Sequence, residues 1–224
     1  MIKYSDFRSA FVKCFYADHN KSHIVKKELA RCIANLKDND IGLNVGSGNT
    51  LLDERIRNLD IFSGDHIYYV ANCESIPESN DFFKLIITQE VLEHVRNPFK
   101  AICEIYRVIK PGGIFYCQLP FIIGYHPGPN DFWRFTKEGI IELVQNAGFK
   151  VEKIGITVGC ASGFYRIAVE FFSVLLSTPF SFLYYPLKAF FSIILFPIKY
   201  LDYILQFSNQ RDRIPGGYYI IATK

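Results

Sequence analysis

The chain has 224 residues, enough for one α/β domain with a real core and spare length for an elaboration. Half of the residues are hydrophobic and 16% are aromatic, while the net charge is only +3 with no basic run, which argues against a nucleic-acid partner. The six cysteines are scattered, without a CxxC pair or a histidine at ligand spacing. That pattern fits buried thiols in a reducing compartment better than a disulfide framework or a zinc site, and no metal is expected. Lys3, Asp6 and Arg8 interrupt the apolar residues of the N-terminus, unlike a secretory signal. The expected location is the cytoplasm or the cytoplasmic face of a membrane.

Residues 5–37 carry two helix-like stretches separated by Asp18-His19-Asn20-Lys21. The texture then changes. Ile41 to Val45 is a short apolar run closed by Gly46-Ser47-Gly48, which reads as a buried strand entering a tight turn. Further strand-like runs lie at 57–61, 67–71, 84–88, 113–119 and 149–158. A helical pattern from Pro98 to Ile109 stops at Lys110-Pro111-Gly112-Gly113, and a second spans 136–147, capped by Thr136 and closed by Gly148. Residues 217–224 read as a last strand after a Pro-Gly-Gly turn. Strands alternating with helices imply βαβ units and a largely parallel sheet.

The glycines at 46 and 48 let the backbone turn sharply and approach a ligand closely. On its own this is also the pattern of a simple tight turn. It is followed in order by Asp60 at the end of the next strand, by Asn72-Cys73-Glu74-Ser75-Ile76-Pro77, by Gln89-Glu90-Val91-Leu92-Glu93-His94, and by the Lys-Pro-Gly-Gly turn. This succession resembles the class I S-adenosylmethionine-dependent methyltransferases of the small-molecule type, across residues 41–158 and the final strand. The resemblance implies S-adenosylmethionine as cofactor. Asn44, Gly46, Ser47 and Gly48 would hold its methionine end, Asp60 its ribose and Asn72 with Cys73 its adenine, while Gln89 and Glu90 line the methionine side. Three departures stand out. Asn44 occupies a position usually acidic, Thr50 replaces a frequent third glycine, and Asn72 replaces the commoner Asp. The interval from Gly46 to Asp60 is also shorter than the usual gap of about twenty residues, so the helix between them must be short.

A second constellation runs from Gly124 to Thr136 and contains Tyr125, His126, Asp131, Trp133 and Arg134. It follows the fifth strand, at the end where ligands of such sheets sit. It resembles a segment of a methyltransferase subgroup common in bacterial surface-glycan pathways. The resemblance suggests His126 as general base supported by Asp131, with Tyr125, Trp133 and Arg134 shaping an acceptor site. The alternative is a loop folded on itself, with Asp131 paired to Arg134 and Trp133 buried. His94 reads as a capping or packing residue, and His19, His23 and His66 as surface residues.

Residues 164–207 are unusually apolar, and no charge occurs between Phe171 and Leu187. Pro179, Pro186 and Pro197 break the apolar runs below the roughly twenty residues that span a bilayer. Kinked helices lying in one leaflet are expected, with Phe190, Phe191 and Phe196 among their lipid anchors. The alternative is a subdomain packed on the protein or on a second subunit, giving a homo-oligomer. Together these readings predict a Rossmann-like three-layer α/β fold with sheet order 3-2-1-4-5-7-6 and an antiparallel last strand. A single domain over 1–224 is expected, with a helical cap at 1–38, a core at 41–158 and 215–224, and an apolar insert at 160–210. The expected reaction is O-methylation of a glycan or lipid-linked amphiphile at a membrane surface. The rivals are methylation of a polyprenyl quinone precursor, and an inactive membrane-bound scaffold.

Overall fold

The structure is a computed structural model that describes residues 22–224, so the helical stretch expected before residue 22 lies outside the described residues. Its strands are β1 (Gly42–Val45), β2 (Ile56–Asp60), β3 (Tyr69–Val70), β4 (Phe83–Gln89), β5 (Ile109–Pro120), β6 (Lys150–Val158) and β7 (Gly217–Thr223). They form one seven-stranded sheet of order β3-β2-β1-β4-β5-β7-β6, as the sequence predicts. Strands β1 to β5 pair in parallel. The last strand runs the other way, because Gly112 donates to the Lys224 carbonyl at one end and Phe121 to the Gly216 carbonyl at the other.

Contacts divide the described chain into two compact units, one of residues 24–120, 125–155 and 218–224, the other of 22–23, 121–124 and 156–217. In the first, β4 is apolar over consecutive positions because both its faces are covered. Leu85 and Ile87 face Cys32 and Leu36 of helix α1 (His23–Ala34) and its C-terminal turn, together with Ile56, Tyr116 and Tyr219. Helices α2 (Pro98–Val108) and α3 (Lys137–Asn146) also bury apolar residues, Ile102 and Ile105 from one and Leu143 and Val144 from the other. Phe149 stacks on Phe115, and Tyr106 meets it edge-on. Among the described residues Cys32, Cys73, Cys117 and Cys160 are buried and Cys103 is exposed, all as free thiols.

One expectation fails. No helix lies between β1 and β2, nor between β2 and β3. The ten residues from Gly46 to Arg55 make the β1–β2 crossing as a folded loop. Asp53 accepts bonds from both the backbone and the guanidinium of Arg55, and Thr50 takes the Asn58 amide on its carbonyl. Side-chain bonds replace the helix that so short a span cannot hold.

The second unit contains helices α4 (Cys160–Ser177), α5 (Tyr184–Ile194) and the short α6 (Asp202–Leu205). Several of its charged groups are used internally. Asp202 accepts from the Ala161 and Ser162 amides at the start of α4, Lys188 pairs with Glu170, and Lys199 lies over the Tyr165 and Phe196 rings. Tyr165 is buried and donates to the Ser192 carbonyl. Large apolar side chains face outward instead, among them Phe171, Phe182, Phe190, Ile194 and Phe207. Of the three expected anchors, Phe190 is exposed, whereas Phe191 stacks on Phe172 and Phe196 packs edge-on against Tyr165.

Thr136 caps α3 as its sequence position predicts, its hydroxyl accepting from the Gly139 amide at 3.1 Å. Thr136→Ala should lower stability by about 1 kcal/mol. Urea denaturation will show this as a lower midpoint at an unchanged slope.

Candidate active site

The glycine turn is built by β1 ending beside β2. The Gly46 and Ser47 amides both donate to the Leu59 carbonyl, and the Gly48 amide donates to the Asp60 carboxylate at 2.8 Å. Gly46 and Gly48 have φ of +63° and +52°, a left-handed conformation that a side chain would strain. A Cβ at Gly46 would also stand 2.5 Å from a Val91 methyl, so the turn and the end of β4 touch here. A Cβ at Gly48 would meet nothing within 4 Å among the described residues. That side of the turn is open.

It opens on a cavity of about 430 Å³, lined by the ends of β1, β2, β3 and β4 and by the segment after β5. Its walls combine apolar surface (Leu59, Ile61, Phe62 and Ala71) with the polar groups of Asp60, Asn72 and Glu90. Phe62 and Ile61 are exposed apolar residues on this wall. Size and lining suit a small-molecule cofactor carrying an aromatic base and a diol. Asp60 receives the Gly48 amide on one oxygen and the Phe62 amide on the other, which fixes its carboxylate at the cavity wall with lone pairs to spare. The Asn72 oxygen accepts from the Glu74 amide, which orients it in the same way. Glu90 is one of two described non-glycine residues with positive φ (+57°) and sits at the cavity end of β4, held by Gln118. Strain of this kind concentrates at functional sites.

Of the expected cofactor residues, Gly46, Gly48, Asp60, Asn72, Cys73 and Glu90 line the cavity. Burial pushes the Cys73 thiol up to about 12. Asn44, Ser47 and Gln89 stand elsewhere. Asn44 is buried within the sheet and donates to Asn58, its register partner on β2. Ser47 turns its hydroxyl to the Gly48 carbonyl, and Gln89 is half-buried at the end of β4.

The loop after β5 lies across the turn of residues 92–94. The Glu93 carbonyl accepts from the Phe132 and Trp133 amides, and the Trp133 indole donates to the Val95 carbonyl. Gly128, Pro129, Asn130 and Phe132 line the cavity, whereas Tyr125, His126, Asp131, Trp133 and Arg134 do not. Asp131 holds Arg134 through two bonds of 2.6 and 2.7 Å and receives the His126 amide. Arg134, above all, brings the Asp131 carboxyl down to about 2. The pairing within the loop is therefore present. His126 also lies beside it, its Nδ1 3.5 Å from Asp131 and 3.2 Å from Arg134. Trp133 is partly exposed rather than buried and stacks on Phe135.

Sequence reading passed over Glu93 and set His94 aside. His94 lines the cavity and meets His126 edge-to-face, and Glu93 lies fully buried beside both rings. Burial raises the Glu93 carboxyl, opposed by His126. The available signal was two histidines and a glutamate on the segments after β4 and β5, adjacent strands whose ends meet. His23 and His66 are exposed, as expected.

Residues 41–117 match the family described as "Methyltransferase domain". A relative, the ubiquinone/menaquinone biosynthesis C-methyltransferase UbiE of Pectobacterium carotovorum, is 44% identical over 61 residues, 27% of this chain and 24% of that protein. The chain's matches thus span 34% or less of the first curated relatives. Among solved structures, a SAM-dependent methyltransferase from Archaeoglobus fulgidus superposes with a TM-score of 0.56 at 18% identity, covering 98% of this chain and all (100%) of that one. The [4+2]-cyclase SpnF superposes with a TM-score of 0.52 at 17% identity, over 93% of this chain and 85% of that one. The chain has the class I S-adenosylmethionine-dependent methyltransferase fold.

Asp60→Ala should remove charge-assisted bonds to a bound cofactor's ribose and release the Gly48 amide. The expected loss is about 3 kcal/mol, roughly a hundredfold in S-adenosylmethionine affinity by calorimetry. Affinity equal to wild type would remove Asp60 from the site.

Proposed function

We propose that this chain is an S-adenosylmethionine-dependent methyltransferase acting on an amphiphilic acceptor at a membrane surface. The observation that carries the reading is the cavity: a positive-φ glycine turn, Asp60, Asn72 and Glu90 converge on it at the strand ends of this sheet. S-adenosylmethionine, when bound, supplies a methyl group already activated on a sulfonium. The chain's own residues then bind and align. Asp60 and Asn72 hold the nucleoside end, the glycine turn lies beside the methionine end, and Glu90 with Val91 closes the wall towards the acceptor. Alignment supplies much of the acceleration. An acceptor hydroxyl must also lose a proton, and the imidazoles of His94 and His126 stand where the post-β5 loop meets the cavity wall. Asp131 and Arg134 hold the His126 ring in place from its Nδ1 side.

Calorimetry with S-adenosylmethionine followed by transfer of labelled methyl to candidate acceptors tests this reading. No cofactor binding would refute it, and binding without transfer would favour the scaffold alternative, a live contrast because this fold also serves a cyclase. His126→Gln should lower turnover by about two to four orders of magnitude while cofactor affinity holds.

The membrane part rests on the second unit. Glu170, Lys188 and Asp202 are paired or capped within the unit while many large apolar side chains point outward. Helix α4 is long and apolar enough to be a candidate span at 18 residues, with α5 and the following segment bent by 43°. We read these helices as lying in one leaflet, on the cytoplasmic side, where a lipid-linked glycan would present its hydroxyls. The likeness to UbiE favours a second acceptor, a polyprenyl quinone precursor methylated at carbon. The acceptor screen separates the two by the atom that receives the label.

Phe171, Phe182 and Phe190, exposed by 58%, 73% and 54%, are the residues to change. Replacing all three with Ser should release the protein from phosphatidylcholine vesicles, shifting the partition by several orders of magnitude at about 1.5–3 kcal/mol each. Wild-type binding should persist in high salt. A wild type that ignores vesicles and a variant that splits a dimer would make this face a subunit interface.

A further inference from the structure

We propose that Glu93, His94 and His126 form a binding site for one divalent transition-metal ion at the edge of the cofactor cavity. The Glu93 side chain is fully buried, and among the described residues neither carboxylate oxygen has a partner at ordinary hydrogen-bond distance. A buried carboxylate left without a donor is costly and calls for a proton or a cation nearby. The nearest polar atoms are imidazole nitrogens. From Glu93 Oε1 it is 3.6 Å to His94 Nε2 and 3.8 Å to His126 Nε2. One ligand atom from each residue lies within 4.8 Å of the other two.

The tautomers decide what these nitrogens offer. His94 Nδ1 lies 2.5 Å from the Asn130 carbonyl oxygen, which can only accept, so Nδ1 carries a proton. In the neutral ring Nε2 then presents a lone pair towards the carboxylate. Two lone pairs facing one another repel, and a cation between them turns that repulsion into coordination. His126 has Asp131 Oδ2 3.5 Å from its Nδ1, with Arg134 Nη2 at 3.2 Å sharing the same carboxylate. Arg134 can only donate, so in the ion-free chain Nδ1 accepts and the ring proton sits on Nε2 towards Glu93. An ion takes the place of that proton, which moves to Nδ1 on the Asp131 side. Metal-bound histidines characteristically donate their second nitrogen to a carbonyl or carboxylate in this way.

Spacing and donor type name the class of ion. Ligands about 2.0–2.2 Å from a tetrahedral ion stand roughly 3.4 Å apart, so small side-chain rotations close the site. Two imidazoles and one carboxylate suit zinc, cobalt, manganese or ferrous iron rather than calcium or magnesium. Three protein ligands leave at least one position open, as in catalytic rather than structural sites. His94 and Gly128, whose added Cβ would lie 3.7 Å from His94 Nε2, both border the cavity. An acceptor hydroxyl bound at the open position would lose its proton more readily. That consequence rests on the methyl-transfer reading; the ion site itself does not.

The experiment therefore uses neither methyl donor nor acceptor. The full chain is stripped with chelator, dialysed, and titrated with Zn²⁺ by calorimetry and with Co²⁺ by visible spectroscopy. Wild type should bind one equivalent, and the Co²⁺ form should show ligand-field bands without thiolate charge transfer. Glu93→Gln and His94→Ala should each weaken binding by more than the ~10–100-fold typical of outer-shell changes. Glu93→Gln is nearly isosteric, and circular dichroism with thermal denaturation will confirm that each variant keeps its fold. Absence of a stoichiometric ion in wild type, a thiolate spectrum, or undiminished binding in these folded variants would overturn the site.

Discussion

The site depends on how β1 stops. Two consecutive amides converge on one carbonyl of β2, and a third reaches the carboxylate one residue further on. That geometry requires the left-handed conformation at Gly46 and Gly48. It fixes Asp60 as both the anchor of the turn and a wall of the cavity. It also brings Gly46 against Val91, just beyond the end of β4. The strained backbone at Glu90 and the short turn carrying Glu93 and His94 follow directly from that point.

What could be read in advance was whatever depends on neighbours in sequence. The apolar run of β4, the glycine turn and the Thr136 cap all express local geometry, and the strand order followed. Helix α2 ends at Val108, but Lys110 to Gly113 lie within β5 rather than in a turn before it. Relations across strands were harder. Asn44 carries no signal distinguishing a cofactor ligand from a buried amide, and its role was decided by Asn58, its partner in register on β2. The interval from Gly46 to Asp60 suggested a short helix, yet ten residues crossing between parallel strands closed on their own side chains. Glu93 was hidden for a different reason. Its surroundings come from a distant part of the chain: the loop after β5 donates two amides to the Glu93 carbonyl and brings His126 beside its carboxylate.

The second unit poses the inverse of the usual partition of side chains. Its polar atoms satisfy one another: Asp202 caps α4, Lys188 meets Glu170, and Tyr165 bonds the Ser192 carbonyl. Such satisfaction lets a helical unit present apolar surface without stranding charges, because whatever covers it need supply no hydrogen bonds. Phe191 and Phe196 illustrate the limit of composition as a guide. An aromatic-rich stretch contains both the packing that shapes the unit and the surface it offers, and only the contacts separate them.

Trp133 is the only tryptophan in the chain. Its indole nitrogen is bonded to the Val95 carbonyl and its ring stacks on Phe135, while its own amide rests on the Glu93 carbonyl. Indole emission from this protein therefore comes from a single position, on the segment that bridges the ends of β4 and β5. The molecule carries its own optical gauge. A shift in its colour reports the polarity around that one loop, without a label and without interference from any second indole.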